Sequence, residues 1–197
     1  MNQEEAAKEK ILDAAMSRMI RFGYRKVSMD EIAQDLTMSK NTIYKYFQSK
    51  VDIAGSLFIR LEKQINRELT LIEEATQDPQ EVIAKSIFFI QKQLGPWFEH
   101  FLGDVKMEVP LLYQDFIDFR NEKIADLRGL LERGMKAGKF RKVNSAIGVA
   151  MYLGAIDQVL NPEFLQKEKI SFPEAIAAVM DIWSSGILQQ QKKRGGS

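Results

Sequence analysis

Apolar positions recur at intervals of three and four along most of this chain, the spacing that lines one face of an α-helix, and no stretch alternates with the period of two that marks a strand. A first helix is predicted from Glu4 to Phe22, with Ile11, Leu12, Ala15, Met19 and Phe22 turned inward and Gly23 at its end. Two short helices follow. Met29, Ile32, Ala33 and Leu36 form the stripe of one; Ile43 and Phe47, four apart, anchor the other. Ser28, three residues before Glu31, has the spacing of a capping box. Ser39 offers a side-chain oxygen to the open N–H groups of the next helix. Thr37-Met38 is left as the connection between them.

Beyond Gln48-Ser49 the same period continues. Ser49 and Asp52 open a long fourth helix carrying Ala54, Leu57, Phe58, Leu61, Ile65, Leu69 and Ile72. Asp78-Pro79 with Glu81 starts a fifth, apolar nearly all round through Ile83, Ile87, Phe88, Phe89, Ile90 and Leu94, and therefore central. Gly95-Pro96 is expected to break it, with a separate short helix between Asp104 and Val109. Pro110 opens a helix to about Ala137, ended by Gly138 in the run Gly134-x-x-x-Gly138-Lys139-Phe140-Arg141. An eighth helix spans Asn144 to Leu160, stopped by Asn161-Pro162; a ninth starts at Ser171-Phe172-Pro173-Glu174 and reaches Gln190. The fold class expected is all-α, about nine helices. Residues 1–50 form a three-helix head, 51–190 a larger helical body, and 191–197 a polar, flexible tail.

Composition narrows the chemistry. The 197 residues are 45% hydrophobic and 28% charged, an ordinary globular balance, with no cysteine and one histidine. A thiolate nucleophile, a zinc finger and a disulfide framework are excluded. No histidine pair, glycine-rich phosphate loop or metal-ligand spacing is present, so no enzyme activity, cofactor or metal is expected. No apolar run of about 18 residues predicts a membrane span, and the N-terminus lacks the core of a signal peptide. A cytoplasmic protein is expected. Net charge is only +1. Between Arg18 and Lys50, however, seven bases face three acids, a local excess of four that suits phosphate.

The outer face of the third helix carries the sharpest chemistry. Asn41 and Lys45 point away from Ile43 and Phe47, with Thr42 and Tyr44 on the flanks, and no carboxylate occurs from Thr37 to Ser49. Amide, hydroxyl, phenol and ammonium groups without an acid suit a DNA major groove. The residues Gly23, Val27, Ser28, Ile32, Ala33, Ser39, Thr42, Ile43, Tyr44, Tyr46, Phe47 and Lys50 resemble the helix-turn-helix of the TetR family of bacterial transcriptional regulators. The close resemblance covers roughly residues 8 to 60.

That resemblance implies a DNA-binding head with Lys40, Asn41, Thr42, Tyr44 and Lys45 toward the groove, and Ser28, Tyr46 and Lys50 on phosphate. It implies a body that binds a small hydrophobic effector. Phe88, Trp97, Phe98, His100, Phe101, Met107, Tyr113, Phe116, Phe119 and Tyr152 are the candidate lining, with core packing as the plain alternative. It implies a homodimer built by the last two long helices through Ile147, Met151, Gly154, Ile176, Val179, Met180, Trp183 and Ile187, reading a palindromic double-stranded operator. Two departures stand out. Thr37 and Asn41 occupy positions where the family commonly has glycine, which puts the turn geometry and the operator sequence in question. The function expected is ligand-responsive repression. The runner-up is a helical ligand-binding or interaction protein without operator specificity.

Overall fold

The computed structural model describes residues 2–159 and 161–188, with the side chains of 98–100 and 162 left aside. Among the described residues the secondary structure is nine helices and one isolated bridge. They are α1 (Gln3–Phe22), α2 (Met29–Asp35), α3 (Lys40–Tyr46), α4 (Lys50–Ala75), α5 (Pro79–Glu108), α6 (Pro110–Lys136), α7 (Ser145–Val159), α8 (Pro162–Glu168) and α9 (Phe172–Ile187). No helix of the described residues is long and apolar enough to cross a membrane.

Most boundaries follow local chemistry. Capping boxes start α1 at Asn2, α2 at Ser28 and α9 at Ser171, and Ser39 caps α3. The Ser49 hydroxyl accepts the Asp52 N–H at 3.1 Å, and the Asp52 carboxylate accepts the Gln48 N–H at 3.0 Å, which together start α4. Two boundaries differ from the expectation. α5 runs unbroken through Gly95-Pro96, absorbing the separate helix expected near 104–109. Proline removes one ladder bond. Trp97, Phe101 and Val105, one face of the continued helix, are all buried, and that packing outweighs the lost bond. Asn161-Pro162 stops α7 as expected, but it also starts α8: the Asn161 side chain accepts the Glu163 N–H and proline sits in the first turn.

The chain divides into two compact units. One comprises Met1–Arg67 with Gln93–Phe119; the other comprises Glu68–Lys92 with Arg120–Ser197. In the first, Ile11, Ala15, Met19, Ile32, Ile43, Ile53 and Leu57 are buried, so the three head helices and the start of α4 share a core. In the second, α7 packs on α9, with Tyr152 and Trp183 rings 5.2 Å apart and the Trp183 Nε1–H donating to the Gly148 carbonyl at 2.8 Å. The run after α6 is fastened there too. Gly138 adopts φ = 69°, Phe140 pairs with Leu188, and the Arg141 N–H donates to the Ile187 carbonyl at 2.9 Å.

Candidate nucleic-acid interface

α2 and α3 are seven residues each, too short to persist alone, and each opens on a side-chain cap. The Ser28 hydroxyl accepts the Glu31 N–H at 3.3 Å and donates to the Glu31 carboxylate at 2.8 Å, which also accepts the Ser28 N–H. Ser28, expected on phosphate, is thus first a cap. The Ser39 hydroxyl accepts the Thr42 N–H at 3.1 Å and lies 2.8 Å from the Thr42 hydroxyl. Between the helices Thr37 adopts φ = 53°. The turn therefore requires a left-handed residue, and a β-branched one holds it under strain.

The exposed face of α3 has the expected occupants. Lys40, Asn41, Tyr44 and Lys45 are exposed; Thr42 and Tyr46 are half-buried at its edges; Ile43 is buried beneath. The Lys45 ammonium stands 5.6 Å from the centre of the Tyr46 ring.

Much of the basic excess in the head is tied within it. Arg18 grips Asp35 through two nitrogens, one at 2.9 Å, and reaches Glu31 at 3.2 Å. The hydrogen bond from Arg18 holds the Asp35 carboxyl below its ordinary range. The Ser28 hydroxyl and N–H do the same for Glu31, with Arg18 adding to it. Lys40 donates to Asp30, from α3 to α2.

Lys50 is placed differently from the expectation of a phosphate contact. Its ammonium donates to the Tyr24 carbonyl at 2.9 Å and lies 4.2 Å over the Tyr24 ring. Burial pulls its pKa down, while Glu108 and Asp104 act in the opposite direction. The Tyr24-Arg25 turn is in turn fastened to α5. The Asp104 carboxylate accepts the Arg25 N–H at 2.9 Å and the guanidinium at 3.3 Å, Glu108 lies 3.8 Å from the guanidinium, and Tyr24 meets Phe101 edge-on at 6.2 Å. Sequence reasoning missed Asp104 and Glu108, because nothing local relates α5 to the turn after α1.

The aromatic residues expected around an effector fall in both units. In the first, Phe58 stacks 5.6 Å from both Trp97 and Phe116, and Trp97 meets Phe101 edge-on at 4.9 Å; Tyr113 adjoins Phe116 at 6.4 Å, and Phe119 closes this unit. Phe58, on α4, was not among the expected lining. Met107 stands exposed on the same unit. Phe88, exposed, and Tyr152, buried against Trp183, belong to the second unit. The side chains of Phe98 and His100 lie outside the described residues.

The residues expected at a dimer interface also divide. Ile176, Val179, Trp183 and Ile187 are buried within the chain, Met180 partly so, because the more apolar stripe of α9 packs on α7 of the same subunit. These four lie in the core of the chain itself and not at an interface. Ile147 (58% exposed), Met151 (66%) and Gly154 form an outward stripe on α7; on α9, Ile182 is also exposed (74%) and was missed from the sequence.

Residues 11–57 match the family model described as bacterial regulatory proteins, tetR family. The chain is 25% identical over 187 residues to the helix-turn-helix-type transcriptional regulator YvaF of Bacillus subtilis, covering 93% of this chain and 97% of that one. It is 24% identical over 199 residues to the fatty acid metabolism regulator protein of the same organism, covering 95% and 98%. Its fold is similar to that of a transcriptional regulator from Saccharomonospora viridis in complex with choline, at a TM-score of 0.77 and 19% identity over 94% of this chain and all of the other.

Proposed function

This chain belongs to the TetR family of transcriptional regulators through its N-terminal head, and on that premise we propose a dimeric repressor released from a palindromic operator by a small effector. The observation that carries the reading is the exposed face of α3, which bears no carboxylate of its own and is capped at Ser39 over a buried Ile43. Asn41 offers donor and acceptor to an adenine edge, Lys45 a donor to guanine, and Tyr44 a ring and hydroxyl between them. Thr42 and Tyr46 flank this face, close to where the backbone of the duplex would run.

The outward stripe of Ile147, Met151 and Gly154 on α7, together with the exposed Ile182 of α9, is the surface proposed for a second copy. A two-fold pair would present two α3 helices to an inverted repeat. The effector is proposed to act on the Trp97, Phe101, Tyr113 and Phe116 group, which adjoins the Tyr24 turn of the head through Phe101. A relative named for fatty acid metabolism and a similar fold holding choline both support a small organic effector without choosing between them. Release follows if the effector favours a conformation whose two heads no longer fit the half-sites, by as much as its differential affinity.

Selection of bound DNA from a random duplex pool tests the reading. An enriched inverted repeat is expected. A folded protein that enriches no sequence overturns the operator-binding function and turns attention to the body as a binding module.

A further inference from the structure

We propose that Asp30 is a built-in competitor for DNA phosphate: it holds the Lys40 ammonium in the free protein and yields it when a duplex docks, so that it sets the strength and salt dependence of binding. The inference rests on the reading of α3 as the DNA-facing helix.

Four observations carry it. Lys40 opens α3 and donates to Asp30 on α2, so the contact crosses the helix-turn-helix. Both side chains are open to solvent, Lys40 at 63% and Asp30 at 53%. The contrast with Arg18 is sharp: that guanidinium is only 22% exposed and is shared by Asp35 and Glu31, a fixed structural pair. Asp30 has no part in the reciprocal cap of α2, which Ser28 and Glu31 make between them. Finally, α3 itself carries no carboxylate, so the fold, and not the local sequence, brings an acid to its reading end.

The chemistry is that of exchange. An exposed ion pair is weak, and phosphate oxygens replace the carboxylate readily. The carboxylate is then left near the duplex and recruits a cation, while the ammonium displaces one from the DNA. Net ion release at this position is close to zero, whereas an unpaired lysine releases about 0.9 ion.

The test is fluorescence anisotropy of a labelled duplex of arbitrary sequence, titrated with full-length protein over a series of salt concentrations. Asp30→Asn is expected to tighten binding about three- to tenfold near physiological salt when both heads of a dimer dock, and to steepen the slope of log K against log salt by about 0.9 per docked head. Asp30→Ser serves as a second replacement, with thermal melting to confirm the fold. Adding Lys40→Ala to Asp30→Asn is expected to return the slope to the wild-type value. An unchanged slope in both Asp30 variants overturns the proposal while leaving the DNA reading intact. A gain that survives Lys40→Ala overturns the exchange. Wild-type protein with no salt-dependent duplex binding sinks the reading itself.

Discussion

Gly134→Ala sets a helix rule against a packing contact, and the two predict opposite signs. Gly134 lies inside α6, where alanine is favoured over glycine by about 1 kcal/mol. A Cβ there, however, would stand 2.1 Å from Cδ2 and 2.2 Å from Cε2 of Phe140. Phe140 is buried, and the Lys139 and Phe140 N–H groups both donate to the Gly134 carbonyl, at 3.0 and 3.2 Å. The ring cannot slide aside without breaking the bonds that seat it. Loss of that seat amounts to most of a phenylalanine truncation, about 3–5 kcal/mol. The net expectation is destabilisation by about 2–4 kcal/mol, a fall in melting temperature of about 5–15 °C. Differential scanning calorimetry of wild type, Gly134→Ala, Phe140→Ala and the double variant reads both terms. With Phe140 already truncated, Gly134→Ala should be neutral or raise the melting temperature. A rise in the wild-type background would refute the contact as the reason for this glycine.

Thr37→Gly relieves the left-handed strain at φ = 53° and should raise stability by about 0.5–1 kcal/mol, less than the strain itself because glycine loses more chain entropy; a lowered melting temperature would count against a strained turn. Burial pushes the Tyr152 phenol from 10.0 up to about 12. Its contribution is therefore present in full below pH 10 and lost as pH climbs toward 12, by about 2–3 kcal/mol, because the unfolded chain ionises first. Tyr152→Phe should flatten that alkaline limb in urea titrations, and an unchanged limb would locate the titration elsewhere. Ile147→Asp or Ile182→Asp should shift sedimentation from dimer to monomer with helicity retained; a normal dimer would move the interface off this stripe.

The legible parts of this chain are those decided within a few residues. Ser28 with Glu31, Ser39, and Ser171 with Glu174 announced their helices because a cap is local. Gly134 and Gly138 marked the junction after α6, although the reason for the first lies in a ring six residues on. What was not legible depends on partners distant in sequence. Pro96 sits inside a helix because Trp97, Phe101 and Val105 are buried. Periodicity finds the apolar stripe of α9 but not what covers it; Trp183, placed at a dimer interface by the family resemblance, packs on α7 of the same chain. The count of bases in the head was correct, but it could not show Arg18, Lys40 and Lys50 turned to protein partners. The exposure of Lys40, Asn41, Tyr44 and Lys45 on α3, by contrast, follows from its own short period.

Operator recognition should stand or fall with that face. With the duplex obtained by selection, operator affinity would be measured for wild type, Tyr44→Ala and Lys45→Ala, with circular dichroism to confirm the helices. Two or three lost contacts to base edges are each worth about 1–3 kcal/mol. At least a tenfold loss is expected in one or both variants, with the preferred sequence relaxed at the contacted position. Wild-type affinity and an unchanged preferred sequence in both variants would contradict it.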